Sequence, residues 1–199
     1  MIHVIPQPEP ASFDANVRQP GLKSLCEKGI DLSHSLAKGT KISPHWTKSL
    51  DDLYRSYGGI CAYLAIHFER ITGAGSVDHF AAKSQYAGLA YEWTNYRLAC
   101  TRMNSRKNNY GDVLDPFEIE NGWFQLELIT GHIYPNPELS DELSAAVLDT
   151  IKRLKLDDEG CKEVRARHYL QYINGETTGS FLQRHSPFVW YEANRQGLL

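Results

Sequence analysis

An aspartate and a histidine stand side by side at positions 78 and 79, asparagines follow at 95 and 104, and Arg106 and Lys107 come just behind. Asp78 offers a hard carboxylate oxygen of the kind that suits Mg²⁺ or Mn²⁺. The imidazole of His79 can take a proton from water near neutral pH. Asn95 can clamp a loop through its amide. Arg106, Lys107 and, more weakly, Arg97 can face phosphate oxygens. Together these residues supply a metal ligand, a general base, a loop clamp and phosphate-binding cations, the inventory for hydrolysing a phosphodiester with one divalent ion. Any one of them alone reads more simply as a turn cap, a core histidine or a solvated surface residue. Their order within one short segment favours the site.

Such residues need elements to aim them. Neighbouring residues of a strand point to opposite faces, so Asp78 and His79 can address one site only where the strand bends or ends. The run ICAYLAIHF (60–68) is rich in β-formers. It is followed by the Gly-containing loop ERITGAG and then SVDHF (76–80), which predicts a β-hairpin between the two runs. Residues 81–94 read as a loop long enough to be functional. Tyr96–Ala99 is expected to be extended, and residues 101–109 to form a short helix. Upstream, SLDDLYRSY predicts a helix over Leu50–Tyr57 behind a Ser49 cap, stopped by Gly58-Gly59.

Prolines at 6, 8, 10 and 20 mark residues 1–22 as an extended arm, laid over the surface or a partner. Downstream, residues 123–129 and 132–134 read as a second hairpin. Residues 140–156 are helical, with a Ser140 cap, an acidic first turn and late basic residues that match the helix dipole. Two more helices are expected over Glu159–Ile173 and Ser180–Arg195, the latter interrupted at Pro187. The fold class expected is α+β: an N-terminal arm and entry segment (1–48), a core (49–137), and a helical C-terminal part (138–199) that packs on the core or docks a partner.

Composition bounds the rest. With 199 residues, 42% hydrophobic and 23% charged, the chain is long enough for a real core. No stretch approaches the roughly 20 apolar residues of a membrane span. The N-terminus lacks the layout of a signal peptide, so a cytoplasmic protein without a membrane partner is expected. Four scattered cysteines with no CxxC pair indicate reduced thiols rather than a disulfide framework. The net charge of −3 gives no basic excess with which to grip nucleic acid. Positive charge is then concentrated at the site, or a partner supplies the grip.

From Gly59 to Asn109, and above all in AYEWTNYRLAC and MNSRK, the chain resembles HNH endonucleases of the ββα-metal fold. It is most similar to the small bacterial PtuB-like HNH proteins of Septu and retron-linked systems. The HNH domain of the CRISPR effector nuclease has the same Asp-His, Asn, Asn order. The resemblance implies a ββα-metal core cutting DNA, with the strand ending at His79 so that both residues reach one site. By the same resemblance Asn104 is a second metal ligand and Asn95 the middle Asn that pins the loop and orients His79. It implies one catalytic Mg²⁺ or Mn²⁺, a role in antiphage defence, and an ABC- or SMC-like ATPase partner from the same operon. Many such proteins also hold a structural zinc with two CxxC pairs. Here the matching places read Cys61-Ala-Tyr-Leu64 and Cys100-Thr-Arg-Met103. Two thiolates make a poor zinc site, so no structural zinc is expected and these four residues should pack as an apolar cluster. Of the remaining histidines only His67 is expected near the site, in a structural role. Two other readings stand beside the nuclease: a catalytically silent HNH-fold scaffold, and a stand-alone restriction or homing nuclease. The latter is disfavoured by the lack of any base-reading helix-turn-helix or zinc finger.

Overall fold

The strand that carries Asp78 and His79, β1 (Gly75–His79), pairs antiparallel with β2 (Tyr96–Cys100), in a register that sets Asp78 opposite Arg97 and His79 opposite Tyr96. The hairpin expected between residues 60–68 and 76–80 is thus replaced by one closed through residues 80–95. Residues 60–68 make no strand. The Cys61 N–H donates to the Ile66 carbonyl, the Ala65 N–H donates to the Cys61 carbonyl, and Ala65 adopts φ +52°. The run therefore closes on itself as a tight turn, with a single isolated bridge between Ile60 and His67. Its apolar residues are buried, as a strand's would be, and a short apolar run does not by itself say which of the two it forms.

The structure is a computed structural model that describes residues 1–37, 39–71 and 74–199. Residues 72 and 73 of the expected hairpin loop lie outside the described residues. Among the described residues the fold is α+β, with seven α-helices and two small antiparallel sheets. No helix among them is long and apolar enough to cross a membrane. The chain divides into two compact units that alternate in sequence: residues 6–59 with 69–111, and residues 1–5 with 60–68 and 112–199. The segment 49–137, expected as one core, is shared between them.

In the first unit a π-helical turn (Asp14–Arg18) runs into α1 (Gln19–Glu27), where the segment expected as an extended arm becomes helical. Pro20 is the second residue of α1, directly after the π-helical turn. Phe13, Val17, Gly21 and Leu25 recur every fourth residue and form the buried stripe. Gly21 has to be glycine, because the Tyr91 ring lies 2.3 Å from where a Cβ would sit. Phe13 packs edge-on against Trp93 and Tyr96, with ring centroids 5.5 and 5.7 Å apart.

A 3₁₀ turn (His45–Ser49) leads into α2 (Leu50–Ser56). Ser49 does not cap that helix with its side chain; its hydroxyl donates instead to the Trp46 carbonyl. After β2 the chain turns directly into α3 (Thr101–Lys107), which packs on both strands. Strand, long loop, strand and helix thus follow in one unit.

The second unit holds a short antiparallel pair, β3 (Phe124–Leu126) and β4 (Ile133–Pro135), and four helices: α4 (Asp141–Leu154), α5 (Glu159–Ile173), α6 (Gly179–His185) and α7 (Pro187–Arg195). The side chains of Ser140, Asp158 and Thr178 cap α4, α5 and α6 by accepting a backbone N–H three residues on. Pro187 begins α7, which separates it from α6. The buried Arg165 guanidinium donates to the Gly131 and Leu156 carbonyls, at 2.9 and 2.7 Å. The buried Glu192 carboxylate accepts from the Leu126 N–H and pairs with Arg195. His67 also lies in this unit, its ring 5.1 Å from that of His185.

Candidate active site

Asp78 and His79 are the last two residues of β1, and both line one polar cleft of about 250 Å³ with Asn104 of α3. The strand ends here, so the two neighbours are not held to opposite faces of a continuing ladder. Both are nearly buried, at 2% and 6% exposure. The cleft lies wholly within the first unit.

The tautomer of His79 is set by its surroundings. Its Nε2 lies 2.9 Å from the Ala90 carbonyl oxygen, which can only accept, so Nε2 carries the proton and Nδ1 is left as the basic nitrogen. The Tyr96 hydroxyl donates to the same carbonyl at 2.8 Å. Trp46 and Tyr96 wall the imidazole edge-on, at 4.9 and 5.1 Å between centroids. Burial lowers the His79 pKa to about 3; Lys83 and Lys107 push the same way and the Ala90 hydrogen bond opposes them. The ring is therefore neutral, the form that accepts a proton.

Asn95 ties the loop between the strands to itself. Its Oδ1 accepts from the Ala81 N–H at 2.8 Å, and its Nδ2 donates to the Ala81 and Leu89 carbonyls at 3.0 Å each. Its own carbonyl accepts from the Phe80 N–H. The residue after His79 and the residue before Ala90 are thus both fixed, and Ala90 is what holds the imidazole.

Two of the expected phosphate contacts are corrected by their burial. Lys107 is fully buried, and its Nζ donates to the His79 and Phe80 carbonyls at 2.6 Å each, 3.5 Å from Oδ1 of Asp78. It braces the end of β1 and is not presented to a ligand. Arg97 is 4% exposed; it donates to the Thr94 and Tyr96 carbonyls and stacks over the Phe80 ring. Arg106 is half-buried on α3 and does not line the cleft.

Sequence reasoning passed over the cation that does line the cleft, Lys83, and the indole beneath it, Trp46. Lys83 is half-buried, with its Nζ 5.1 Å above the Trp46 ring. Burial lowers its pKa and Asp78 opposes the shift. The signal for Lys83 was its place in the loop four residues after His79; Trp46, more than thirty residues upstream, gave none.

The Asp78 carboxylate and the Asn104 amide are hard oxygen donors on one cleft. They fit a small divalent ion that keeps most of its waters, as Mg²⁺ does. Among the described residues, no group of three or more His, Cys, Asp and Glu side chains gathers to hold a metal. The four residues of the expected apolar cluster are divided between the units, Cys61 and Leu64 in the second, Cys100 and Met103 in the first. Cys61 and Met103 are buried, while Leu64 and Cys100 are partly so. No protein-family model matches the sequence, and no curated protein matches it.

Proposed function

We propose that this cleft hydrolyses phosphodiester bonds of DNA with one Mg²⁺ or Mn²⁺, as the resemblance to HNH endonucleases implies. The observation that carries the reading is the convergence of Asp78, Asn104 and a neutral, tautomer-fixed His79 on one polar cleft at the end of a strand. Asp78 and Asn104 would hold the ion, which when bound offsets charge on the pentavalent phosphorus and on the leaving oxygen. His79 takes the proton of the attacking water at Nδ1 as the new oxygen–phosphorus bond forms and the old one breaks. Nε2–H stays on the Ala90 carbonyl throughout, which stabilises the imidazolium that forms. Asn95 and Lys107 act through the backbone, one holding the loop and the other the strand end.

The same reading extends to an antiphage effector that works beside an ATPase. Its support is the absence of a basic excess: at net charge −3, and with Arg97 and Lys107 turned inward beside the cleft, the chain alone has no surplus of positive charge with which to hold a duplex. Plasmid cleavage in Mg²⁺ or Mn²⁺, with the ATPase of the same operon added, tests the reading. Nicking by wild type is expected to fall at least ~100-fold in His79→Ala, the usual share of a general base. Cleavage undiminished by that substitution would sink the mechanism.

A further inference from the structure

A second cavity, of about 330 Å³, opens beside the polar cleft and shares Trp46, Lys83 and Asn109 with it. Its remaining walls are Leu36, Ile42 and Pro44 together with Thr40, Lys41 and Ser84, and most of its exposed lining is apolar where that of the first is polar. Trp46 and Lys83 form the partition between the two. Nothing in the proposed hydrolysis needs an apolar annex, and a metal with its waters would not enter one.

Lys83 makes no ion pair or hydrogen bond among the described residues; its Nζ rests over the indole, half-buried. Asp78 of the same cleft acts on it electrostatically without pairing with it, so the partly desolvated ammonium keeps its donors for an anion in the cleft it borders. On one side of it lies the site proposed to take a scissile phosphate; on the other lies a pocket walled by an indole, a proline and two aliphatic side chains. A nucleotide has that same pairing of charged phosphate and flat apolar base. In a B-form duplex the base faces are covered by their neighbours, so only a nucleotide outside a stack can fill such a pocket.

Resting on the nuclease reading of the adjoining cleft, we propose that the annex binds the base beside the scissile phosphate while Lys83 binds the phosphate. The substrate is then single-stranded or locally unpaired nucleic acid rather than continuous duplex.

Methyl-, indole- and imidazole-detected NMR on the full chain tests this with three small probes: inorganic phosphate, the dinucleotide d(TpT), and its abasic counterpart. Saturable d(TpT) shifts are expected at the Ile42 methyl, the Trp46 indole and His79. Phosphate should shift His79 and leave Ile42 still. Base stacking on an aromatic platform predicts that d(TpT) binds roughly 5- to 150-fold tighter than the abasic probe. Ile42→Asp should erase that difference, and Lys83→Ala should weaken both dinucleotides. If d(TpT) moves His79 and spares Ile42, the annex proposal is overturned while the nuclease reading stands. If no probe moves His79, the nuclease reading fails and the annex falls with it. A blunt duplex that shifts Ile42 as strongly as d(TpT) overturns the substrate class.

Discussion

Replacing Lys107 with methionine separates a structural lysine from a phosphate-binding one. Methionine keeps the length and the apolar stem but removes the ammonium that donates to the His79 and Phe80 carbonyls and lies 3.5 Å from Oδ1 of Asp78. The side chain is fully buried and Asp78 is 2% exposed, so solvent screens little of this. Breaking one partner of a buried ion pair costs about 3–5 kcal/mol. Each buried carbonyl that loses its donor costs about 1–3 kcal/mol. These do not add, because one ammonium makes all three contacts. About 4 kcal/mol is the working figure, a large share of the roughly 5–15 kcal/mol that holds a domain folded.

In urea unfolding followed by far-UV circular dichroism, a slope of about 2 kcal/mol/M turns that loss into a midpoint about 2 M lower. A cycle with Asp78→Asn should show coupling of about 0.5–3 kcal/mol. A solvent-facing lysine would instead change stability by less than about 0.5 kcal/mol. A midpoint unmoved on that scale would refute the bracing role and return Lys107 to the surface.

Three further outcomes are expected. Asn95→Ala removes three buried hydrogen bonds to Ala81 and Leu89 and should cost about 1–3 kcal/mol in thermal unfolding; a loss below about 0.5 kcal/mol would count against the clamp. Gly131→Ala places a Cβ 2.1 Å from the Lys162 carbonyl oxygen at φ +73° and should cost at least about 2 kcal/mol, whereas Gly175→Ala, at φ +74° with open space around it, should cost about 1 kcal/mol; equal effects would discount the clash. His168, hydrogen-bonded to the Ser186 hydroxyl, has its pKa lowered to about 4 by burial, with Arg167 and His185 adding to the shift. The unfolded chain takes up its proton first, near 6.5, so this histidine costs no stability above that pH and a growing amount as pH falls toward 4. The drop in urea midpoint between pH 7 and pH 5 should therefore be smaller in His168→Gln than in wild type, and an identical drop would exclude His168 as its source.

Where local rules and tertiary packing agree, the fold was legible. Ser140, the acidic first turn and the late basic residues of 140–156 announce a capped helix, and that helix forms. The N-terminal segment has no regular structure through Pro10, in line with its prolines, and turns helical from Phe13, where a buried apolar stripe prevails. Phe13, Val17, Gly21 and Leu25 recur at four-residue spacing across the π-helical turn and α1. The partner of β1 was not legible for another reason. ICAYLAIHF and YRLAC are both short apolar runs, and only the left-handed turn at Ala65 decides that the first folds back on itself.

The site divides along the same line. Asp78, His79, Asn95 and Asn104 could be singled out because their chemistry depends on residue type and order, and the structure sets three of them on one cleft and the fourth behind its loop. Which cation faces that cleft depends on helical phase. Met103 and Lys107 are four residues apart on α3, hence on one face, and both are buried. Asn104, one residue further round, faces the cleft instead. An apolar residue at 103 was thus a sign that Lys107 points inward. The positive charge of the cleft comes from the loop, through Lys83, and the loop is held where Asn95 grips Ala81, two residues before Lys83, and Leu89, next to the carbonyl that fixes His79. One amide therefore places both His79 and Lys83, so that, on the mechanism proposed, loss of Asn95 should disturb proton transfer and phosphate binding together without its side chain touching either reactant.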